Sequence, residues 1–237
     1  MLHRKYFFVR IGIMLVTGEI YHVLNRGTEN RIIFQNKRDY ERFLITLFEC
    51  NSTDLNFKNR YRIDLSKGNK KSPENPMVEI LCICLMPNHF HMAVKQLIDG
   101  GVAKLMQRMG NSYTKYFNIK NKRKGSLFMS RYKAVHVKTD SQMKHLIIYI
   151  HANPLDLIMP KWRKGKIKNF KKAKDFLENY IWSSYPFYTE GNGLDLISQI
   201  INPEIVKEFY PEKEEYFKSI HSWSSRYFDV IDSSDLE

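Results

Sequence analysis

LMPNHFHMAV, residues Leu85 to Val94, places two histidines one residue apart in an otherwise apolar run. Side chains of an extended strand alternate between its faces, so His89 and His91 project together while Phe90 points the other way. Two imidazoles side by side on one face form half of a metal site. Spacing alone leaves open the alternative of two partly buried, hydrogen-bonded histidines. The Met-Pro-Asn before them reads as a turn or bulge, and Val78–Leu85 before that as another apolar strand.

Outward from this stretch, "GEIYHVLNRG" (Gly18–Gly27) alternates Ile20, His22 and Leu24 with Tyr21 and Val23, as a strand ending in a turn does. "KRDYERFLITLFEC" follows, with Tyr40, Phe43, Leu44 and Leu47 at helical spacing. Val102, Leu105, Met106, Met109, Tyr113, Tyr116 and Phe117 predict a second helix over about Val102–Phe117. "KAVHVKT" (Lys133–Thr139) predicts a fourth strand, and Asp140-Ser141 opens a helix that runs to about Ala152 before Asn153-Pro154 ends it. The order is β-α-β-β-α-β and then one more helix. That order predicts an α+β fold, a ferredoxin-like sandwich with helices on one face of an antiparallel sheet that carries the histidine strand. The polar Asn51–Pro76 segment reads as an exposed loop.

A hydrophobic content of 43% and an aromatic content of 14% over 237 residues exclude a disordered chain. Three cysteines, Cys50, Cys82 and Cys84, do not make a disulfide framework and point to a reducing, cytoplasmic setting. The N-terminal "YFFVRIGIMLV" is interrupted by Arg10 and too short to span a bilayer, and no small-residue cleavage site follows it, so neither a membrane partner nor a signal peptide is expected. The net charge of +13 favours a polyanionic partner. Gly100 to Thr139 holds ten Lys and Arg without an acid, and Lys161 to Lys174 holds eight more. Aromatic residues are interleaved with these bases, a composition suited to tracking phosphates. From Asn202 onward the sign reverses.

"SQMKHLIIYIHANP" adds a second constellation. Met143, Leu146, Ile147 and Ile150 form its core stripe, and Tyr149 and Asn153 lie one turn apart at the edge of that stripe. If this helix packs beside the histidine strand, His89, His91 and the Asn153 amide oxygen would hold a divalent ion with Tyr149 next to it. Imidazole and amide oxygen suit Mg²⁺ or Mn²⁺ with open water positions, and Zn²⁺ is compatible with them. Such an ion would polarise a phosphoryl oxygen for attack by the tyrosine. An ordinary amphipathic-helix tyrosine is the competing reading, and periodicity does not decide between them.

"YHVLNRG", "CLMPNHFHMAV", "LMQRMGNSYTKYFN", "GSLFMSRYKAVHV", "YIHANP" and "WSSY" occur here in an order that resembles the REP-associated tyrosine transposases, members of the single-tyrosine HUH transposase group. The resemblance spans roughly Gly18 to Tyr188. It implies a ferredoxin-like fold, His89 and His91 as metal ligands completed by Asn153, and Tyr149 as the nucleophile. It also implies transesterification on single-stranded DNA, with a 5′-phosphotyrosine link and a free 3′-hydroxyl, at hairpin-bearing DNA. Residues 1–190 would then form the catalytic domain and 191–237 an acidic helical extension, in a monomer or a homodimer. Two features depart from the family pattern: "NPLDL" stands where Val-Arg-Ala-Gly usually follows the Asn-Pro, and the 51–76 loop is longer.

Arg26 in the "NRG" turn, the run Lys122-Arg123-Lys124, and Arg131 with Lys133 are candidate DNA contacts, weighed against a solvated basic face. Cys82 and Cys84 share a strand face and could join the histidines around zinc, but their strand is apolar throughout and favours packing. Tyr113 and Tyr116, on an aromatic-rich basic helix, compete with Tyr149 and read better as core or base-stacking residues. A non-catalytic binder of single-stranded nucleic acid and a replication or relaxation nickase of the HUH class are the alternative functions.

Overall fold

The computed structural model describes residues 15–53, 75–160, 162–164, 167, 169–189 and 193–226. Most of the N-terminal apolar run, most of the 51–76 loop and the last acidic residues lie outside the described residues. Four strands, β1 (Ile20–Arg26), β2 (Val78–Met86), β3 (His89–Gln96) and β4 (Lys133–Val137), form one sheet in the order β2-β3-β1-β4. Every neighbouring pair is antiparallel. With α1 (Lys37–Cys50) after β1 and α2 (Gly101–Lys120) after β3, this is the ferredoxin-like arrangement.

The alternation of β1 and β3 divides the sheet into two chemically different faces. Tyr21, Val23, Phe90, Met92 and Val94 pack with Phe43, Leu44 and Leu47 of α1 and Leu105, Met109 and Tyr113 of α2. His22, His89, His91 and Ala93 turn the other way, and β1 meets β3 with Arg26 opposite His89 and His22 opposite Ala93. β2 is apolar toward both sides because both are covered. A bulge between Ile80 and Cys82 brings Leu81 and Cys82 to the histidine face together.

The helix after β4, α3 (Asp140–Ala152), does not join α1 and α2 on the first face. It packs across the histidine face on β2 and β3. Thr139 starts it by accepting from the Gln142 backbone N–H, and the Gln142 side chain accepts in return from the Lys138 N–H. From Met143 on, all of its residues except Lys144 are buried, so it is covered on its outer side too. The cover comes from α4 (Phe170–Glu178), α5 (Tyr185–Thr189), α7 (Glu204–Phe209) and α8 (Lys213–Arg226), which contribute Leu177, Tyr185, Val206 and Tyr216 to the same cluster. Between α5 and α7, α6 (Asp195–Ile200) crosses to the other layer and packs Leu196, Ile197 and Ile200 into the core of α1 and the sheet.

Sequence-read bounds hold to within a few residues. The second helix runs three residues beyond Phe117, to Lys120, before Lys122 adopts a left-handed backbone with φ 50°. Asn51, at the entrance of the long loop, accepts from the Met77 and Val78 N–H groups and donates to the Val78 carbonyl. The loop therefore begins and ends on one anchored pair of neighbours.

Candidate functional site

His89 opens β3 directly after the Pro87-Asn88 turn, and its Nδ1 lies 2.6 Å from Asn88 Oδ1. An amide oxygen only accepts, so Nδ1 carries the proton and Nε2 is left with its lone pair. That Nε2 is 3.2 Å from Asn153 Oδ1, at the C-terminal end of α3. In that tautomer two lone pairs face each other with no proton between them, and Asn153 Nδ2 is buried without a partner among the described residues. Turned the other way, the amide would donate to the ring; a cation held by both atoms would favour the orientation with oxygen inward.

His91, two residues on, stands edge-on to His89 with ring centroids 5.0 Å apart. Its Nδ1 meets Nε2 of His22 at 3.0 Å, and the two rings stack. Burial lowers the pKa of all three imidazoles: His22 to about 3, His89 to about 4 with Arg26 adding to the effect, and His91 well below 6.5 with His89 adding. They are neutral at physiological pH, which is the form that ligates a metal. Among the described residues, no group of three or more His, Cys, Asp or Glu side chains is arranged to hold an ion. The donor set that fits here is two imidazoles and the Asn153 amide, which leaves several coordination positions open, as Mg²⁺ and Mn²⁺ require. Cys82 and Cys84 lie in the core beneath α3, where burial pushes the Cys82 thiol up to about 12 and raises that of Cys84 as well. Neither is a ready thiolate, and the zinc alternative gains no support from them.

Tyr149 completes the cluster from above. Its ring is edge-on to His91 at 5.3 Å and to His22 at 5.8 Å, and only 2% of its surface is exposed. Arg163, in the 3₁₀ turn Trp162–Lys164, donates from Nη1 to Tyr149 Oη at 3.1 Å, with its guanidinium 4.9 Å from the ring centre. Asp156 holds that guanidinium in a fork, through Nη2–Oδ2 at 2.5 Å and Nε–Oδ1 at 3.2 Å. Trp162 Nε1 donates to the same carboxylate at 2.6 Å. Burial works against the charge of Arg163, but Tyr149 and Asp156 outweigh it and raise its pKa above the ordinary range.

The basic candidates are distributed unevenly around this cluster. Arg26 is half-buried directly across from His89 and shares its face. Lys133 begins β4 opposite Leu24, on the same face, and Arg131 is exposed just before it. Lys122 and Lys124 are exposed in the loop leaving α2. Between them, Arg123 donates to Asn118 Oδ1 and the Ser126 carbonyl and thereby closes that loop. Tyr113 and Tyr116 belong to the opposite face, where they donate to the Ile33 carbonyl and to Asp39 Oδ1. Sequence reading missed His22, Asn88, Asp156 and Arg163. Alternation places His22 on the face of Leu24, which the register shows is also that of His91. Nothing periodic links Arg163 to Tyr149.

The fold and the cluster define the class: a ferredoxin-like protein whose sheet carries paired histidines beneath a helix bearing a tyrosine and an asparagine. The sequence pattern described as Transposase IS200 like matches residues 20–153, and the chain belongs to that family of DNA transposases. The matched span runs from the first residue of β1 to Asn153 and so takes in His22, the histidine pair and Tyr149. Among solved structures, the chain is similar to a REP-associated tyrosine transposase bound to a REP hairpin, at 13% identity and a TM-score of 0.48, over 78% of this chain and 87% of the other. No curated protein matches the sequence.

Proposed function

We propose that this transposase cleaves and rejoins single-stranded DNA by transesterification through a covalent 5′-phosphotyrosine on Tyr149, at hairpin-bearing repeats. The observation that carries the reading is the convergence of His89, His91, Asn153 and Tyr149 on one sheet face from two elements. A divalent Mg²⁺ or Mn²⁺ ion held by His89, His91 and Asn153 would supply Lewis-acid polarisation of the scissile phosphate.

The chain's own groups account for the rest. Tyr149 Oη, after losing its proton to solvent, bonds to phosphorus as the bond from phosphorus to the 3′ oxygen breaks, and that oxygen takes up a proton to become a 3′-hydroxyl. Rejoining reverses these steps with another 3′-hydroxyl and releases the phenol. Of the three histidines only His89 is partly exposed, and Arg26 across from it is partly exposed too, so the DNA phosphate would approach along their side. Arg26, Arg131, Lys133 and the Lys122–Lys124 run would then line the path of the strand.

The test is incubation of the protein with hairpin-bearing single-stranded DNA and Mn²⁺, followed by denaturing electrophoresis and peptide mass spectrometry. The expected result is a covalent adduct on the Tyr149 peptide that disappears in Tyr149→Phe while DNA binding stays near wild type. An adduct on Tyr113 or Tyr116, or one that persists in Tyr149→Phe, overturns the assignment.

A further inference from the structure

The stretches YIHANP and WSSY meet at one hydrogen bond. His151 lies midway between Tyr149 and Asn153, and two residues turn an α-helix by about 200°, so its ring leaves α3 on the side away from both. There it is fully buried, with Nε2 2.6 Å from Ser184 Oγ and Nδ1 paired with Tyr216 Oη of α8. Ser184 is itself bound to the outer edge of β2. Its N–H donates to the Ile83 carbonyl at 2.9 Å, and its Oγ accepts from the Ile83 N–H at 2.9 Å. Ile83 pairs in turn with Met92 of β3, the residue after His91. A path of directional contacts therefore links α3 to the strand of the histidines without passing through the site.

One arrangement of protons satisfies the whole path. Tyr216 donates to Nδ1, the Nε2–H donates to Ser184 Oγ, and the Ser184 hydroxyl donates to the Ile83 carbonyl at 3.2 Å. In the reverse arrangement the Tyr216 hydroxyl has no acceptor among the described residues. A buried polar network with every member satisfied is rigid and specifies one packing. By contrast, Met143, Leu146, Ile147 and Ile150 share a cluster with Leu81, Cys82 and Cys84 of β2, and apolar contact of that kind is non-directional. It holds α3 on the sheet but does not stop it sliding.

We propose that His151 and Ser184 are positioning residues, whose bond fixes where α3 stands along the sheet and so sets Tyr149 and Asn153 against His89 and His91. This deepens the proposed function and rests on it. A displacement of about 1 Å is enough to cost a reaction about 100-fold, so an anchor two residues from the nucleophile has consequence for rate as well as for stability. Ser184 lies beyond the matched family span, which ends at Asn153. The chain thus supplies the anchor for this helix from a later segment.

The test compares Ser184→Ala with Val206→Ala in the full chain. Val206 belongs to the same cover over α3, but its truncation leaves the His151–Ser184 bond in place. In metal-free protein, the ¹H–¹⁵N resonances of the Asn153 side-chain amide are assigned by their loss in Asn153→Ala. They should move in Ser184→Ala and stay where they are in Val206→Ala. Ser184→Cys fills the same space with a weakly hydrogen-bonding thiol and, as a second variant, should show the same shifts. Folded Ser184→Ala should bind Mn²⁺ about tenfold more weakly by calorimetry. It should form adduct about 100-fold more slowly on saturating hairpin-bearing single-stranded DNA, with the half-saturating DNA concentration unchanged. Ser184→Thr keeps the hydroxyl and should recover most of both losses. Unmoved Asn153 resonances in folded Ser184→Ala and Ser184→Cys, or equal movement in Val206→Ala, overturn the proposal even if the urea midpoint has fallen. If wild-type protein forms no Tyr149 adduct while the Asn153 resonances still respond to Ser184 alone, the nucleophile reading fails and the positioning stands.

Discussion

His22 meets His91 at its Nδ1, so an ion held by His91 would have to meet its Nε2. Two neutral imidazoles share one hydrogen bond, so His22 Nε2 and His91 Nδ1 fix each other's tautomer and ring orientation. His22→Phe keeps a stacking ring but removes that bond, and Mn²⁺ affinity measured by calorimetry should fall about 10–100-fold, the usual effect of losing such a partner. His91→Ala should abolish adduct formation altogether while leaving DNA affinity largely intact, because the neutral imidazole contributes no charge to the basic surface. Asn153→Ala should be milder, since an amide oxygen is the weakest of the three donors. If His22→Phe binds Mn²⁺ as wild type does, His22 is only packing. At this scale the sequence was legible where residues sit at fixed spacing: a period of two placed His89 with His91, and one helical turn placed Tyr149 over Asn153. Arg163 was legible only as one base in a basic run, because its link to Tyr149 depends on how the chain turns after Asn153, through contacts with Asp156 and Trp162.

Among the elements, α3 carries the most consequence, since it brings Tyr149 and Asn153 to the strand that carries the histidines. Its bounds could be read from Asp140 and from Asn153-Pro154, but its side of the sheet could not. The first-face position is already occupied by α1 and α2, and only tertiary packing excludes α3 from it. Its nearly continuous apolar run from Leu146 to Ala152 is the trace in sequence of burial on two sides. The outer side is closed by α8 through a fully buried polar link. His151 Nδ1 pairs with Tyr216 Oη, and its Nε2 pairs with Ser184 Oγ at 2.6 Å. Ser184, just before α5, in turn accepts at Oγ from the Ile83 N–H of β2, so α3, α8 and the sheet share one network through it. Tyr216→Phe leaves a ring nitrogen of His151 buried without a partner, which should cost about 1–3 kcal/mol. Urea unfolding should show this loss as a lower midpoint in a single transition. A separate early transition would mean that the helices after residue 190 unfold as an independent extension, the arrangement the reversal of charge suggests.

Over the whole molecule, the order of elements was legible because each strand and helix states its own period, whereas burial of the histidines was not, because it arises only when α3 and the later helices close over the sheet. That closure has a consequence for stability against pH. Burial holds His22 and His151 at about 3 and His89 and His145 at about 4, against 6.5 for an exposed imidazole. Above 6.5 neither the folded nor the unfolded chain protonates these groups, and stability is full. As pH falls below 6.5, the unfolded chain takes up protons that the fold excludes, so the balance moves toward unfolding. The slope is up to about 1.4 kcal/mol per pH unit for each such group. Carboxylates, with midpoints near about 4, begin to titrate only near about pH 5, so the interval from 6.5 down to there belongs to the histidines. Urea midpoints of metal-free protein should therefore hold level from pH 8 to about 7 and then fall steeply toward pH 5. His145→Leu removes one of these groups at a site away from the His89–Asn153 cluster, and its midpoint should fall less steeply over the same interval. An unchanged slope in His145→Leu would show that His145 already ionises in the folded protein. A level wild-type midpoint down to pH 5 would show the same of the whole set, and α3 would then have to lift from the sheet to admit the protons.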